Sequence, residues 1–198
     1  DEPVKHVRDY IDAGSDIITV HAEVCDESSF GEICDMLNSN QVGIGLAINP
    51  DTELPQWCYK FVELLDQIII MSVVPGKSGQ KFIESTHEKI RRIAKDLREH
   101  KFEGYIEADG GVNLENIGAC FEDGARAFVG GSAIIGQSDV RMIIKEFRNQ
   151  VLESRRRLLI KKAHDLGGTE LVNSWIDLHV VGEKKDKLVQ IAKELGFQ

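Results

Sequence analysis

No apolar run in the 198 residues approaches the ~18 to 20 that a membrane helix needs, and no basic-then-apolar leader opens the chain. The expectation is a soluble, cytoplasmic protein, unprocessed or already trimmed, without a membrane partner. Cysteine is sparse and scattered: Cys25, Cys34, Cys58 and Cys120 form no C-x-x-C pair and no dense framework. That excludes a zinc ribbon and a disulfide-stapled secreted domain, and favours reduced cytosolic thiols. A basic surplus is also missing, since 24 Lys+Arg face 33 Asp+Glu for a net charge of −9. A phosphate-backbone binder needs the opposite balance, so nucleic acid is excluded as a partner.

The negative charge is uneven. Residues 141–198 hold 12 Lys+Arg against 8 Asp+Glu, and residues 1–140 hold 12 against 25. The last quarter therefore differs in character from the rest, although a solvated helix face accounts for such basic residues as well as a binding patch does. Along the chain, short apolar runs alternate with longer amphipathic ones. This pattern predicts strands at 16–21, 42–48, 67–73, 104–108 and 126–129. Helices lie between them, announced by Ser29 with Glu32, Ser85 with Glu88, and Asn113 ahead of Leu114. The run Ile68-Ile69-Ile70-Met71 reads as a parallel strand covered on both faces. An α/β domain with a parallel sheet follows.

Doubly wound sheets and (β/α)₈ TIM barrels share that alternation, so the strand ends must arbitrate. Here polar or glycine-rich groups follow each strand: His21-Ala22-Glu23, Asn49-Pro50-Asp51-Thr52, Val74 to Gln80, Asp109 to Asn113, and Gly130-Gly131-Ser132. Clustering after the C-terminal ends is the barrel arrangement. One helical segment, 3–13, precedes the first strand and only five βα units fit before residue 140, so the reading is a TIM barrel that is N-terminally incomplete. The domain division is 1–154 for the partial barrel and 155–198 for a C-terminal extension. In that extension, 155–165 reads as helix, Gly167-Gly168 as a break, 176–181 as a short strand, and 185–195 as a helix closed by Gly196.

Asp109-Gly110-Gly111 and Gly130-Gly131-Ser132 carry the clearest chemistry. Glycines at the ends of two consecutive strands let backbone N–H groups approach an anion, and a short helix starting near Ser132 adds more of them. One Gly-Gly alone would be an ordinary turn; two in succession point to a phosphorylated small molecule. Gly76-Lys77-Ser78 looks like the end of a P-loop, but Met71 stands where the first glycine of that motif is required. The loop with Pro75, Gly76, Gly79 and Gln80 suits a mobile lid instead, or an ordinary exposed turn. Asp109 ends a strand where a carboxylate can ligate a hard metal or carry a proton, though Asp before Gly-Gly also forms turns. His21 beside Glu23 reads as a hydrogen-bonded histidine, having no second histidine at ligand spacing. His6, His87, His100, His164 and His179 read as helix-face or linker residues, and Trp57 and Trp175 as packing residues.

Five segments in this order resemble the ribulose-phosphate 3-epimerase family: Thr19 to Glu23, Gly45 to Pro50, Ile70 to Ile83, Glu107 to Asn113 and Phe128 to Ile134. The resemblance covers about the first three quarters of the chain. It implies a (β/α)₈ isomerase of the pentose phosphate pathway that interconverts ribulose 5-phosphate and xylulose 5-phosphate through an enediolate. It further implies a divalent metal (Zn, Fe, Mn or Co) between two catalytic aspartates, one on each face of the sugar. By the match, Asp109 is the metal-ligating, catalytic aspartate. Gly76, Lys77, Ser78 and Gly79 form the substrate-covering segment, and Gly110, Gly111, Gly131 and Ser132 hold the phosphate. Lys77 and Ser78 replace the family's usual Phe and Gly, and Val74 replaces an Asn, so lid closure or affinity is expected to differ.

The family's first three strands carry a serine, two histidines and the other aspartate, none of which has a counterpart after Asp1. The missing initiator Met favours a truncated enzyme over a degenerate relative, and the chain by itself is expected to be catalytically incomplete. The alternative is a non-catalytic sugar-phosphate-binding or scaffold protein whose tail drives assembly. Two open sheet edges predict a homo-oligomer, an aggregation-prone chain, or an edge patched by 176–181. Asp177 to Val181 faintly echoes the family's histidine strand and is read as coincidence.

Overall fold

The computed structural model describes residues 2–77 and 79–165, with backbone alone at 163–165. Ser78 and residues 166–198 lie outside it, and with them Trp175, His179, the breaks at Gly167-Gly168 and Gly196, and the expected strand and helix at 176–181 and 185–195.

Five strands, β1 (Ile17–His21), β2 (Gly43–Ile48), β3 (Gln67–Met71), β4 (Tyr105–Asp109) and β5 (Ala127–Val129), form one parallel sheet in chain order. Each agrees with its expected strand to within two residues. The helices are α1 (Pro3–Asp12), α2 (Glu27–Ser39), α3 (Thr86–Glu99), α4 (Ile117–Asp123), α5 (Gly131–Ile135) and α6 (Val140–Asp165). Between β2 and β3 the chain makes only short 3₁₀ turns at Gln56–Lys60 and Val62–Leu64. The expected boundary at 154 and 155 falls within the unbroken α6.

Register sorts the side chains into two faces. Val20, Leu46, Ile68 and Ile106 stand in one lateral row, and Ile48, Ile70 and Ala108 in another. All are buried in one core with Phe30, Ile33 and Leu37 of α2 and Ile90, Ile93 and Leu97 of α3. At ~25 cal/mol per Å² of apolar surface, such burial supplies the main drive for the layer of helices to close on the sheet. The alternate residues form rows on the helix-free face: Thr19, Gly45, Gln67 and Tyr105; then His21, Ala47, Ile69, Glu107 and Ala127; then Met71, Asp109 and Val129. A Cβ on Gly45 would lie 2.1 Å from Thr19 Oγ1, so close strand packing in the first row requires glycine. In the same row the Tyr105 hydroxyl donates to Gln67 Oε1 at 2.7 Å.

The helix starts differ in detail from their expected caps. α2 is capped three residues earlier than Ser29 with Glu32 suggested, because extended Asp26 accepts the Ser29 N–H at 2.8 Å while the Ser29 hydroxyl accepts the Asp26 N–H at 2.9 Å. Ser85 precedes α3 but already has helical dihedrals and makes no side-chain cap. Asn113 Oδ1 accepts the N–H groups of Glu115 and Asn116, stabilising the turn that leads into α4.

Trp57 packs on Phe30 with ring centroids 5.1 Å apart, as a core residue. Cys34, Cys58 and Cys120 are buried free thiols, each pushed up to about 12 chiefly by burial, and are chemically quiet. No described helix is long and apolar enough to cross a membrane.

Candidate functional site

Pairing of Asp109 with Val129 brings the two glycine pairs out of adjacent strands side by side. Gly110 has φ 118° and Gly111 has φ 65°, backbone that side-chain-bearing residues avoid. The turn is fixed from behind. The fully buried Ser72 hydroxyl donates to the Gly110 carbonyl at 2.5 Å, Ser72 N–H donates to the Asp109 carbonyl at 2.7 Å, and Asn116 Nδ2 donates to the Gly111 carbonyl at 3.1 Å. With those carbonyls engaged, the N–H groups of Gly110, Gly111, Gly131 and Ser132 donate to no acceptor among the described residues. α5 starts at Gly131, where the sequence reading placed a short helix, and Gly131 and Ser132 are exposed. Unclaimed N–H groups converging at one rim are an anion-binding arrangement.

Asp109 stands at the same rim on the helix-free face, half-buried, and burial raises its carboxyl above the usual aspartate value. Glu107, two residues back, shares that face. Its carboxyl is also raised, first by burial and then by the Asp109 charge. The sequence reading did not single out Glu107, yet two-residue strand periodicity was the signal for it.

The rim beyond β1 and β2 is cross-braced. Glu23 Oε1 accepts the Asn49 N–H at 2.7 Å, and His21 Nδ1 lies 3.2 Å from Glu23 Oε2. Burial pushes the Glu23 carboxyl up, but these bonds and one from the Thr52 side chain outweigh it and leave the carboxyl below its ordinary value. His21 is thus a hydrogen-bonded residue, as expected. From α3, Lys89 (7% exposed) donates to the carbonyls of Asn49, Pro50 and Thr52 at 2.5, 3.2 and 2.5 Å. The signal for Lys89 was a lysine in the apolar stripe that contains Ile90, Ile93 and Leu97.

In the loop after β3, expected as a lid or an ordinary turn, Gln80 Nε2 donates to the Val74 and Lys77 carbonyls at 2.6 and 2.9 Å. Gly76 and Gly79 have φ 110° and 74° and open space around them, and Val74 is 62% exposed. Gly111 meets the end of this segment, where a Cβ would lie 2.4 Å from the Phe82 nitrogen. The structure thus brings Gly110, Gly111, Gly131 and Ser132 together beside Asp109. Gly76, Lys77 and Gly79 lie on the exposed loop following β3.

No three His, Cys, Asp or Glu side chains among the described residues come together as a metal-holding group. Asp109 and Glu107 offer carboxylate oxygens on one strand. His21 is on β1, three strands from β4, or roughly 14 Å at ~4.8 Å per strand. The described donors alone therefore do not make up the expected divalent metal site.

The Ribulose-phosphate 3 epimerase family model matches residues 1–135. The ribulose-phosphate 3-epimerase of Escherichia coli (strain K12) is 38% identical over 145 residues, which is 73% of this chain and 63% of that protein. That of Bacillus subtilis (strain 168) is 37% identical over 149 residues, 75% and 67% respectively. The chloroplastic ribulose-5-phosphate-3-epimerase of Arabidopsis thaliana is 38% identical over 144 residues, 73% and 51%. The chain thus spans less than two thirds of the E. coli and Arabidopsis relatives. Among solved structures, 3-hexulose-6-phosphate synthase from Salmonella typhimurium matches at TM-score 0.57 and 17% identity, over 78% of this chain and 70% of that one. 3-Keto-L-gulonate-6-phosphate decarboxylase from Vibrio cholerae matches at 0.55 and 18%, over 77% and 68%. These two share the fold, of the TIM-barrel type.

Proposed function

This chain belongs to the ribulose-phosphate 3-epimerase family, and from that premise we propose that it binds a pentulose 5-phosphate and carries one half of the family's acid/base pair. The carrying observation is the convergence of four unclaimed N–H groups, from Gly110, Gly111, Gly131 and Ser132, beside the half-buried Asp109 carboxylate. The phosphate sits against those N–H groups, and Gly76, Lys77, Ser78 and Gly79 cover it from the loop after β3. This fixes the sugar so that its C3 hydrogen, α to the C2 ketone, faces Asp109. A carboxyl raised by burial is a better base than an ordinary aspartate, and Asp109 takes the C3 proton as the electron pair moves into the enediolate. Returning the proton to the same face restores ribulose 5-phosphate; delivery to the other face gives xylulose 5-phosphate.

That second delivery needs an acid opposite Asp109, and Glu107 stands on the same strand and the same face. Full epimerisation therefore draws on groups other than the described ones. A divalent metal belongs with this chemistry, Asp109 being its proposed ligand here. With the described donors short of a site, no step is assigned to it.

The test is NMR of ribulose 5-phosphate in D₂O. The proposal requires deuterium to enter C3, with or without accompanying xylulose 5-phosphate. Asp109→Asn should slow that exchange by at least ~10²-fold while leaving phosphate-dependent amide shifts at Gly110 and Ser132 intact. The lack of a three-donor cluster among the described residues favours a second reading, a non-catalytic sugar-phosphate binder. Binding with no exchange at all would establish that one, and unmoved glycine amides would dismiss both.

A further inference from the structure

The glycine N–H groups proposed to hold the phosphate are neutral donors, and the rim around them is acidic. Segments 22–26, 49–55, 72–85, 110–116 and 130–139, which follow the five strands, hold seven Asp+Glu against two Lys+Arg, and Asp109 itself ends β4. A phosphate monoester at pH ~8 carries two negative charges, its second pKa being about 6, whereas a diester carries one. Acidic loops within a Debye length of ~8 Å therefore repel the monoester more strongly, unless a cation stands at the site. Lys77 and Lys81 are the two lysines of those segments, both in the one after β3 and both exposed. Neither pairs with a carboxylate among the described residues. Lys89 of α3 is already held by the carbonyls of Asn49, Pro50 and Thr52.

Gln80 Nε2, bonded to the Val74 and Lys77 carbonyls together, folds the loop back on its own foot. That foot touches the anion site: a Cβ on Gly111 would lie 2.4 Å from the Phe82 nitrogen and 3.0 Å from the Gln80 carbonyl oxygen. Three residues separate Lys77 from Gln80, at most ~11 Å of chain, and the four-carbon stem carries the ammonium farther. The Gly111 turn is thus within its reach. Gly76 and Gly79 have positive φ and open space around them, so neither crowds the stem. Lys81 stands in the foot instead, between Gln80, held by its side-chain bonds, and the buried Phe82. The N–H groups take an anion from the strand ends, so its remaining oxygens face the apex of the loop, where Lys77 stands.

We propose that Lys77 determines specificity by charge: its ammonium pairs with the oxygens that the glycine N–H groups leave free, and so selects a doubly charged phosphate monoester over a singly charged diester. This rests on the anion site of the proposed function. The backbone donors fix position and accept either anion; the ammonium, a compact point charge on a flexible stem, supplies the discrimination. It also offsets the repulsion between a dianion and the Asp109 carboxylate at the same rim. Because the loop is exposed, the pairing weakens as salt is raised.

The experiment titrates the full 198-residue chain with methyl phosphate and with dimethyl phosphate at pH ~8, following the amide signals of Gly110 and Gly131 by NMR. The two probes differ by one methyl group and one charge. Wild type should bind methyl phosphate the more tightly, and this preference should shrink as salt is raised. Lys77→Met should weaken methyl phosphate at least ~5-fold and leave dimethyl phosphate within ~2-fold. Lys77→Arg, which keeps the charge, should restore the preference, and Lys81→Met should bind as wild type does. Methyl phosphate bound equally well by wild type and Lys77→Met overturns the proposal while leaving the anion site in place. So does an equal weakening of both probes, which would make Lys77 a cover and not a selector of charge. A loss in Lys81→Met in place of Lys77→Met overturns it too, by assigning the cation to the foot of the loop. Wild-type amides that neither probe moves would dismiss the anion site and this proposal with it.

Discussion

Replacing Lys89 with methionine isolates one buried cation and asks what it holds. The side chain keeps its length and apolar stem, but the ammonium that serves the carbonyls of Asn49, Pro50 and Thr52 is gone. Hydrogen bonds to a charged group contribute about 1.5–3 kcal/mol each, so three represent ~4–9 kcal/mol before offsets. Two offsets apply. The desolvation of a buried ammonium, several kcal/mol, is relieved, and the loop carbonyls, only half-buried, recover some water. A net loss of ~2–4 kcal/mol remains, which for a chain of this size lowers Tm by roughly 5–15 °C. The pH dependence has a definite sign. Burial lowers the Lys89 pKa, so the unfolded state binds more protons than the folded one, and wild-type stability rises with pH up to the ordinary lysine value of about 10.4. Methionine removes that slope, and the gap between the two proteins should widen in alkali. The assay is thermal unfolding by circular dichroism across pH. A methionine variant melting within ~1 °C of wild type would refute the reasoning, because water alone would then be serving those carbonyls.

Gly111→Ala places a Cβ 2.4 Å from the Phe82 nitrogen at φ 65°, so left-handed strain of ~1–2 kcal/mol adds to an overlap costing ~1–3 kcal/mol, and phosphate titration by NMR should show lost binding. Gly131→Ala meets no atom within 4 Å and should stay within ~0.5 kcal/mol of wild type in urea unfolding, which separates the anion site from the fold. Glu107→Gln should raise the melting temperature at neutral pH and leave it unchanged below pH ~4. The raised carboxyl stabilises the folded state below its unfolded pKa, and that contribution is lost as pH climbs through the folded value. Melting that shifts equally at both pH values would mean that packing rather than charge sets the effect.

Strand positions were legible because parallel strands under helices need apolar residues at every outward position, and Leu46, Ile48, Ile68 and Ile70 supply them. The glycine pairs were legible for the converse reason, since a backbone that must expose N–H groups leaves no room for side chains. What the sequence concealed was long-range hydrogen bonding. Ser72 reaches Gly110 across 38 positions and Lys89 reaches Asn49 across 40, and no local periodicity encodes such a bond. The α2 cap was misplaced by three residues because serine and aspartate both cap, and only the extended backbone at Asp26 chose between them. Glu107 was hidden by its neighbour: Asp109 beside Gly-Gly drew the chemistry, though the same alternation that exposes Asp109 exposes Glu107.

The anion half and the proton-transfer half of the rim differ in how they are supported, and this separates affinity from turnover. Ser72, Asn116 and Phe82 fix the glycine turn from within the described residues, so its N–H groups are aimed before any ligand arrives. Preorganised donors lose little entropy on binding, so the proposed phosphate affinity needs no group beyond the described residues. Proton transfer has no such closure, for in the proposed reading Asp109 addresses one face of a planar enediolate and nothing among the described residues stands across from it. Binding the phosphate equally well in ground and transition states lowers KM without raising kcat, so tight binding here would be no evidence of epimerisation. Exchange at C3 distinguishes the two halves because, under the proposed function, it requires Asp109 and a seated phosphate, whereas inversion also requires the opposite acid.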